Sequence, residues 1–305
     1  MSPQDSCLKI QSLKNPILPA PAADPWILRH EGIWFSLQAV DRTLQLRAAS
    51  VLGELGDTEP ITIWSAPQSG PYSRNLWAPE MHRLDGRWFI YLAADDGDNA
   101  NHRMWVLSAE TNNPFGLWQP CGMLETDGWA IDGTILEKDG RRYFVWSGWP
   151  GKANEQQNLY ISEMRNPWRL MGSRIPLTEP TEPWERVALP LCEGPQILEK
   201  GPRTFVIYSA SGSWTPDYCL GLLSNDDGKL LDPRSWRKRG PVFSRTDRVW
   251  GVGHCCFAQQ PGVGDLIFYH AKTQRAHGWN DRNVRVQPFG WTRDGFPDFG
   301  TPVPV

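Results

Sequence analysis

No stretch of the sequence holds the roughly 20 consecutive apolar residues that a membrane-crossing helix needs, so no membrane partner is expected. Neither sign of charge dominates: 31 Lys and Arg stand against 34 Asp and Glu, for a net charge of −3. Basic residues gather only in short pieces such as 234–239, which leaves a nucleic-acid partner no electrostatic footprint. Residues 1–10 lack a basic segment followed by an apolar one, so no secretory leader is read and a cytoplasmic location is expected. The six cysteines, at 7, 121, 192, 219, 255 and 256, lack the spacing of a zinc site or a disulfide framework and read as buried thiols. A sustained 3.6-residue apolar period with caps is also missing, so helix content should be small.

What is abundant points to sheet. The chain has 17 Trp, 27 Pro and 28 Gly in 305 residues, a composition suited to many short strands joined by turns. Indole faces stack on the C–H faces of sugars, although core and inter-strand packing accounts for most of these tryptophans.

One unit recurs five times, in segments 24–39, 78–93, 132–147, 193–209 and 254–270: a short apolar strand, a turn with glycine, then an aromatic-rich strand. Aligned on Gly32, Gly86, Gly140, Gly201 and Gly262, the units place Asp24, Ala78, Asp132, Glu193 and His254 eight residues before each glycine. The strands after the glycines, such as Tyr143-Phe144-Val145-Trp146 and Leu266-Ile267-Phe268-Tyr269, are near-continuous apolar runs, as strands covered on both faces require. Five units of 54 to 61 residues predict an all-β fold, a five-bladed β-propeller. The expected organisation is a single catalytic domain over 1–305, with blades beginning near 24, 78, 132, 193 and 254.

In a propeller the leading ends of the innermost strands open at one mouth, so the five aligned residues should ring one axial pocket. Four of them are ionisable, and gathering carboxylates is costly unless they are paired or serve chemistry. Three carboxylates around a sugar-sized pocket suit glycoside hydrolysis, which needs a proton donor to the leaving oxygen and a carboxylate that activates water or attacks the sugar. A third carboxylate can raise the donor's pKa by like-charge repulsion.

These residues resemble glycoside hydrolase family 43. Ala23-Asp24-Pro25-Trp26, Ala130-Ile131-Asp132-Gly133 and Cys192-Glu193-Gly194-Pro195 look like its three catalytic blocks. Trp77-Ala78-Pro79-Glu80 is similar to its second-blade block, and Gly251-Val252-Gly253-His254 with Tyr269-His270-Ala271-Lys272 to its fifth-blade block. Val286-Gln287 and Asp294-Gly295-Phe296-Pro297 resemble the final strand pair. The resemblance implies an inverting mechanism with Asp24 as general base, Glu193 as general acid and Asp132 as the group that tunes Glu193. Within the family it implies an exo-acting enzyme that releases terminal α-L-arabinofuranose from arabinan or arabinose-containing oligosaccharides. A β-D-xylosidase or dual-specificity pentosidase would use the same carboxylates, and a glycan-binding propeller without activity is the non-enzymatic alternative.

The resemblance also suggests supporting residues. Arg282, five residues before Gln287, matches a family arginine that reaches the sugar's hydroxyls. His254 is implied to lie beside a hydrated calcium or sodium ion in the channel, and no cofactor is expected for the chemistry itself. Trp77 could wall the terminal-sugar subsite, Glu80 could hydrogen-bond a sugar or brace its blade, and Trp26, Trp149 and Trp214 could supply stacking faces.

Overall fold

The computed structural model describes residues 14–305. Among these residues the regular structure is 21 strands and four short 3-10 turns. The first blade consists of β1 (Trp26–His30), β2 (Ile33–Val40), β3 (Thr43–Ala49) and β4 (Ile61–Ser65). The second is β5 (Arg74–Leu84), β6 (Arg87–Asp95), β7 (Arg103–Ala109) and β8 (Trp118–Met123). The third is β9 (Ala130–Lys138), β10 (Arg141–Gly148), β11 (Asn158–Asn166) and β12 (Arg169–Thr178). The fourth is β13 (Cys192–Lys200), β14 (Arg203–Ala210), β15 (Cys219–Asn225) and β16 (Trp236–Phe243). The fifth has β17 (Trp250–Gln260), β18 (Gly264–Lys272) and β19 (Arg282–Pro288), and a small hairpin of β20 (Gly290–Trp291) and β21 (Pro297–Asp298) follows. Strands within each blade pair antiparallel in chain order, and β1, β5, β9, β13 and β17 pack on one another around the axis. The fold is the five-bladed β-propeller expected.

Ring closure was not legible in the sequence. Segment 15–18 lies along β19 as an extra outer strand of the fifth blade: Ile17 N donates to Val284 O at 2.8 Å and Val284 N to Leu18 O at 2.9 Å. The Asn15 side chain brackets Val286, accepting from its N–H and donating to its C=O, both at 2.9 Å. The chain thus fastens its beginning to its last blade before entering β1, which leaves the ring no open seam.

The core is divided among the blade junctions. Tyr91 packs against Phe144 between the second and third blades, Trp34 against Phe268 between the fifth and first, and Val145 and Val206 share the cluster between the third and fourth. The middle strands β6, β10, β14 and β18 are almost wholly buried, because a sheet lies on each face.

The inner strands share a local break near the mouth. Pairing slips after Trp77 in β5, Ile131 in β9, Glu193 in β13 and Gly253 in β17. The next residue in each takes a left-handed backbone: Ala78 (φ 41°), Asp132 (55°), Gly194 (54°) and His254 (44°). Asp24 (φ 48°) holds the same place ahead of β1. Such bulges re-aim side chains at sheet ends.

These bulges correct the glycine alignment in the fourth blade. Gly32, Gly86 and Gly140 are the second residues of their two-residue hairpin loops, whereas Gly201 is the first residue of its loop and Pro202 the second. Proline cannot take a positive φ, so the turn places its glycine first. The true counterpart of Asp24, Asp132 and His254 is therefore Gly194. Glu193 sits one place earlier, where the other blades carry Trp77, Ile131 and Gly253.

Candidate active site

An axial cavity of about 490 Å³ gathers Asp24, Asp132, Glu193 and His254 at the propeller mouth, with Trp77, Trp129, Trp214, Trp279 and Arg282 among its walls. Glu193 enters from the same strand position as Trp77 and Ile131, which also line this cavity. Ala78 instead faces an adjoining cleft that shares Asp24, Trp77, Trp279 and Arg282 with the cavity.

Asp24 sits among basic side chains. Its Oδ1 lies 3.4 Å from His254 Nδ1, 3.2 Å from His270 Nδ1 and 3.4 Å from Arg282 Nη1. Burial acts to raise its pKa, but His254, Arg282 and His270 outweigh burial and hold the carboxyl well below the usual carboxylate range. His270 is itself pushed down to about 4, chiefly by burial and against the pull of Asp24, so its imidazole stays neutral at pH 7.

The other two carboxyls are pushed the opposite way. Asp132 is raised to about 7 by burial, with His254 opposing and the charges of Glu193 and Asp24 adding to the rise. Its Oδ2 accepts the backbone N–H of Gly194 at 3.0 Å, which ties the bulge of β13 to that of β9. Glu193 is also raised to about 7, by burial first, with Tyr218 lowering it and Asp24 raising it. The Tyr218 hydroxyl donates to Glu193 Oε1 at 2.8 Å. One cavity thus holds an ionised carboxylate and two carboxyls that keep their protons close to neutrality.

Sequence reasoning did not single out Tyr218, His270, Trp129 or Trp279. His270 lies inside the block 269–272, which was a usable signal. Tyr218 opens a strand without a distinguishing neighbour, and Trp279 sits alone between strands.

The supporting residues divide. Arg282 lines the cavity, whereas Arg285 is fully buried behind it, where it donates to Val303 O and Lys272 O. Trp77 is 39% exposed and stacks on His102 at 4.0 Å, and Nδ1 of that imidazole meets Asp95 at 2.8 Å. Trp214 and Trp279 meet edge to face at 5.9 Å on the opposite rim. Glu80 is buried away from the cavity and braces the channel, accepting from Gln196 and meeting His82 Nε2 at 2.8 Å. Trp26 donates to Met81 O and packs between blades.

Trp149 does not reach the cavity. It stacks flat behind Trp129 at 4.5 Å and 9°, leaving Trp129 as the partner that lines the cavity. Trp149→Ala should therefore act on stability, costing about 3–5 kcal/mol. Chemical denaturation of the variant checks this; an unchanged midpoint with a large rise in KM would contradict it.

The expected channel ion finds no protein cage. Nδ1 of His254 is turned towards Asp24 and, at 4.0 Å, towards Asp132. Among the described residues no group of three or more His, Cys, Asp or Glu side chains is arranged to hold a metal ion. Calcium and similar hard cations take several oxygen ligands, so the residues present do not fit a protein-ligated ion and no chemical step is routed through one. Of the cysteines, 192, 219, 255 and 256 are buried free thiols and Cys121 is half-buried, while Cys7 lies outside the described residues.

A five-bladed propeller with three carboxylates in one axial pocket has the layout of a carbohydrate-processing propeller. The chain belongs to the glycosyl hydrolases family 43, whose sequence pattern matches residues 13–297. It is 35% identical over 300 residues to alpha-L-arabinofuranosidase 43 of Humicola insolens, covering 92% of this chain and 62% of that protein. It is 36% identical over 272 residues to an extracellular exo-alpha-(1->5)-L-arabinofuranosidase of Streptomyces chartreusis, covering 85% of this chain and 82% of that one. The crystal structure of an alpha-L-arabinofuranosidase from Lactobacillus brevis superposes with a TM-score of 0.91 at 34% identity, over 97% of this chain and 98% of that one.

The cytoplasmic expectation is corrected by these relatives, since the Streptomyces protein is named extracellular. It rested on the composition of residues 1–10 and on unpaired cysteines, neither of which fixes a compartment. Among the described residues no helix is long and apolar enough to cross a membrane.

Proposed function

We propose that this protein is an exo-acting, inverting α-L-arabinofuranosidase that removes terminal arabinofuranose from arabinan or arabinose-bearing oligosaccharides. The observation that carries the chemistry is the opposed protonation of two carboxyls in one cavity, Asp24 held ionised and Glu193 held protonated. Paired titratable groups whose surroundings drive their pKa values apart define a base and an acid. The names of the three relatives above, at 34–36% identity, support arabinofuranose as the sugar.

In the proposed step a water oxygen attacks the anomeric carbon while the bond from that carbon to the leaving oxygen breaks. Asp24 takes the water proton, and Glu193 gives its proton to the leaving oxygen. Both carboxyls then return to their starting states by exchange with solvent. Asp132 fixes the β13 bulge, and with it the entry of Glu193, through Gly194, while the charge that raises Glu193 is that of Asp24. Arg282 keeps Asp24 ionised and reaches for the sugar's hydroxyls, while the indoles of Trp77, Trp129, Trp214 and Trp279 form the walls.

The test is turnover of 4-nitrophenyl α-L-arabinofuranoside beside the corresponding β-D-xyloside, with proton NMR of the first sugar released. Preference for the arabinoside and an inverted anomer are expected. A retained anomer, a preference for the xyloside, or binding without turnover would each reject this reading.

A further inference from the structure

A protonated carboxyl has two oxygens, and only one can carry the proton that reaches the leaving group. The surroundings of Glu193 distinguish them. The Tyr218 hydroxyl donates to Glu193 Oε1 at 2.8 Å, so that oxygen is the acceptor of the pair.

We propose that Tyr218 is a positioning residue that reserves Oε1 of Glu193 as an acceptor, so that the transferable proton sits on Oε2. This rests on the reading of Glu193 as the general acid.

The fold is arranged to hold the Tyr218 ring. A Cβ at position 253 would lie 2.2 Å from that ring, so only glycine lets the phenol lie against β17. On another side the ring is stacked on His270 at 5.5 Å and 10°. Tyr218 is fully buried. Burial first, and the Glu193 charge second, push the phenol well above its usual range, so it remains a neutral donor.

The experiment compares full-length protein with Tyr218→Phe and Glu193→Gln. It measures kcat/KM against pH on an α-1,5-linked arabino-oligosaccharide and on 4-nitrophenyl α-L-arabinofuranoside. The groups facing Glu193 in this titration are Asp24 before β1, Asp132 in β9, His254 in β17, Arg282 in β19 and Tyr218 itself. Tyr218→Phe keeps the ring, and is expected to lose about 10²-fold on the oligosaccharide but less than about 10-fold on the aryl glycoside, whose leaving group needs little protonation. Its basic limb should move to higher pH, because a hydrogen bond that favours the ionised acid is gone.

Equal losses on both substrates with an unmoved basic limb would overturn the proposal and leave Tyr218 as packing. Glu193→Gln separates the two levels. If that variant shows the leaving-group split and Tyr218→Phe does not, the positioning role alone fails. If Glu193→Gln shows no split, the acid assignment fails and the proposal falls with it.

Discussion

Asp24→Asn is expected to lower kcat/KM on the order of 10⁴-fold on every arabinoside, whatever its leaving group. Water must be activated whichever group departs, and the amide cannot take its proton. The effect should be close to uniform because His254 and Arg282 would still line the cavity and bind the sugar. In the unmodified protein those groups hold Asp24 ionised far into acid, so the acidic limb of the pH profile should lie below the ordinary carboxylate range. Steady-state kinetics on aryl arabinosides of differing leaving-group acidity, repeated down the pH scale, checks both statements. A loss confined to poor leaving groups would assign Asp24 the wrong half of the reaction.

The second large effect belongs to Glu193. Glu193→Gln should cost about 10²–10⁴-fold on alkyl and oligosaccharide substrates and under about 10-fold on a 4-nitrophenyl glycoside. Because Glu193 is pushed up to about 7, activity of the unmodified protein on oligosaccharides should fall tenfold per pH unit above neutrality, as the carboxyl loses its proton. That basic limb should vanish in Glu193→Gln on the aryl substrate. In Asp132→Asn it should move little, since Asp132 is itself pushed up to about 7 and the charge that raises Glu193 is that of Asp24.

Much of this site could be read from residues because a propeller repeats. A strand-turn-strand unit in register five times names its own inner strands, and the residues leading those strands must converge whatever the loops do. Asp24, Asp132, Glu193 and His254 were found in this way, before any contact was known. The same reasoning misplaced Glu193 by one position, since it relied on a hairpin glycine. A loop of Gly201-Pro202 carries its glycine first, where the other loops place it second, and that difference depends on φ. The departure coincides with chemistry: Glu193 reaches the cavity from the Trp77 and Ile131 position, and Gly194 frees its N–H for Asp132.

What stayed hidden depends on pairs distant in sequence. Segment 15–18 closes the ring on β19 across more than 260 residues, and no local pattern marks it as a strand. Tyr218 and His270 belong to different blades and become neighbours only through the stack of their rings across the fourth and fifth blades. Trp149 and Trp129 are equally indole-bearing in sequence, and only the stack decides which one lines the cavity. The sequence does not distinguish sugar contact from brace at Glu80, and the contacts with Gln196 and His82 occupy its carboxylate as a brace.

The most direct test of the account is a leaving-group series on two variants. It plots log kcat/KM against leaving-group pKa for Asp24→Asn and Glu193→Gln across aryl α-L-arabinofuranosides. The account predicts a steep negative slope for Glu193→Gln, and for Asp24→Asn a line parallel to that of the unmodified protein and displaced downward. Parallel lines for both variants, or a steep slope for Asp24→Asn instead, would contradict the division of Asp24 as base and Glu193 as acid.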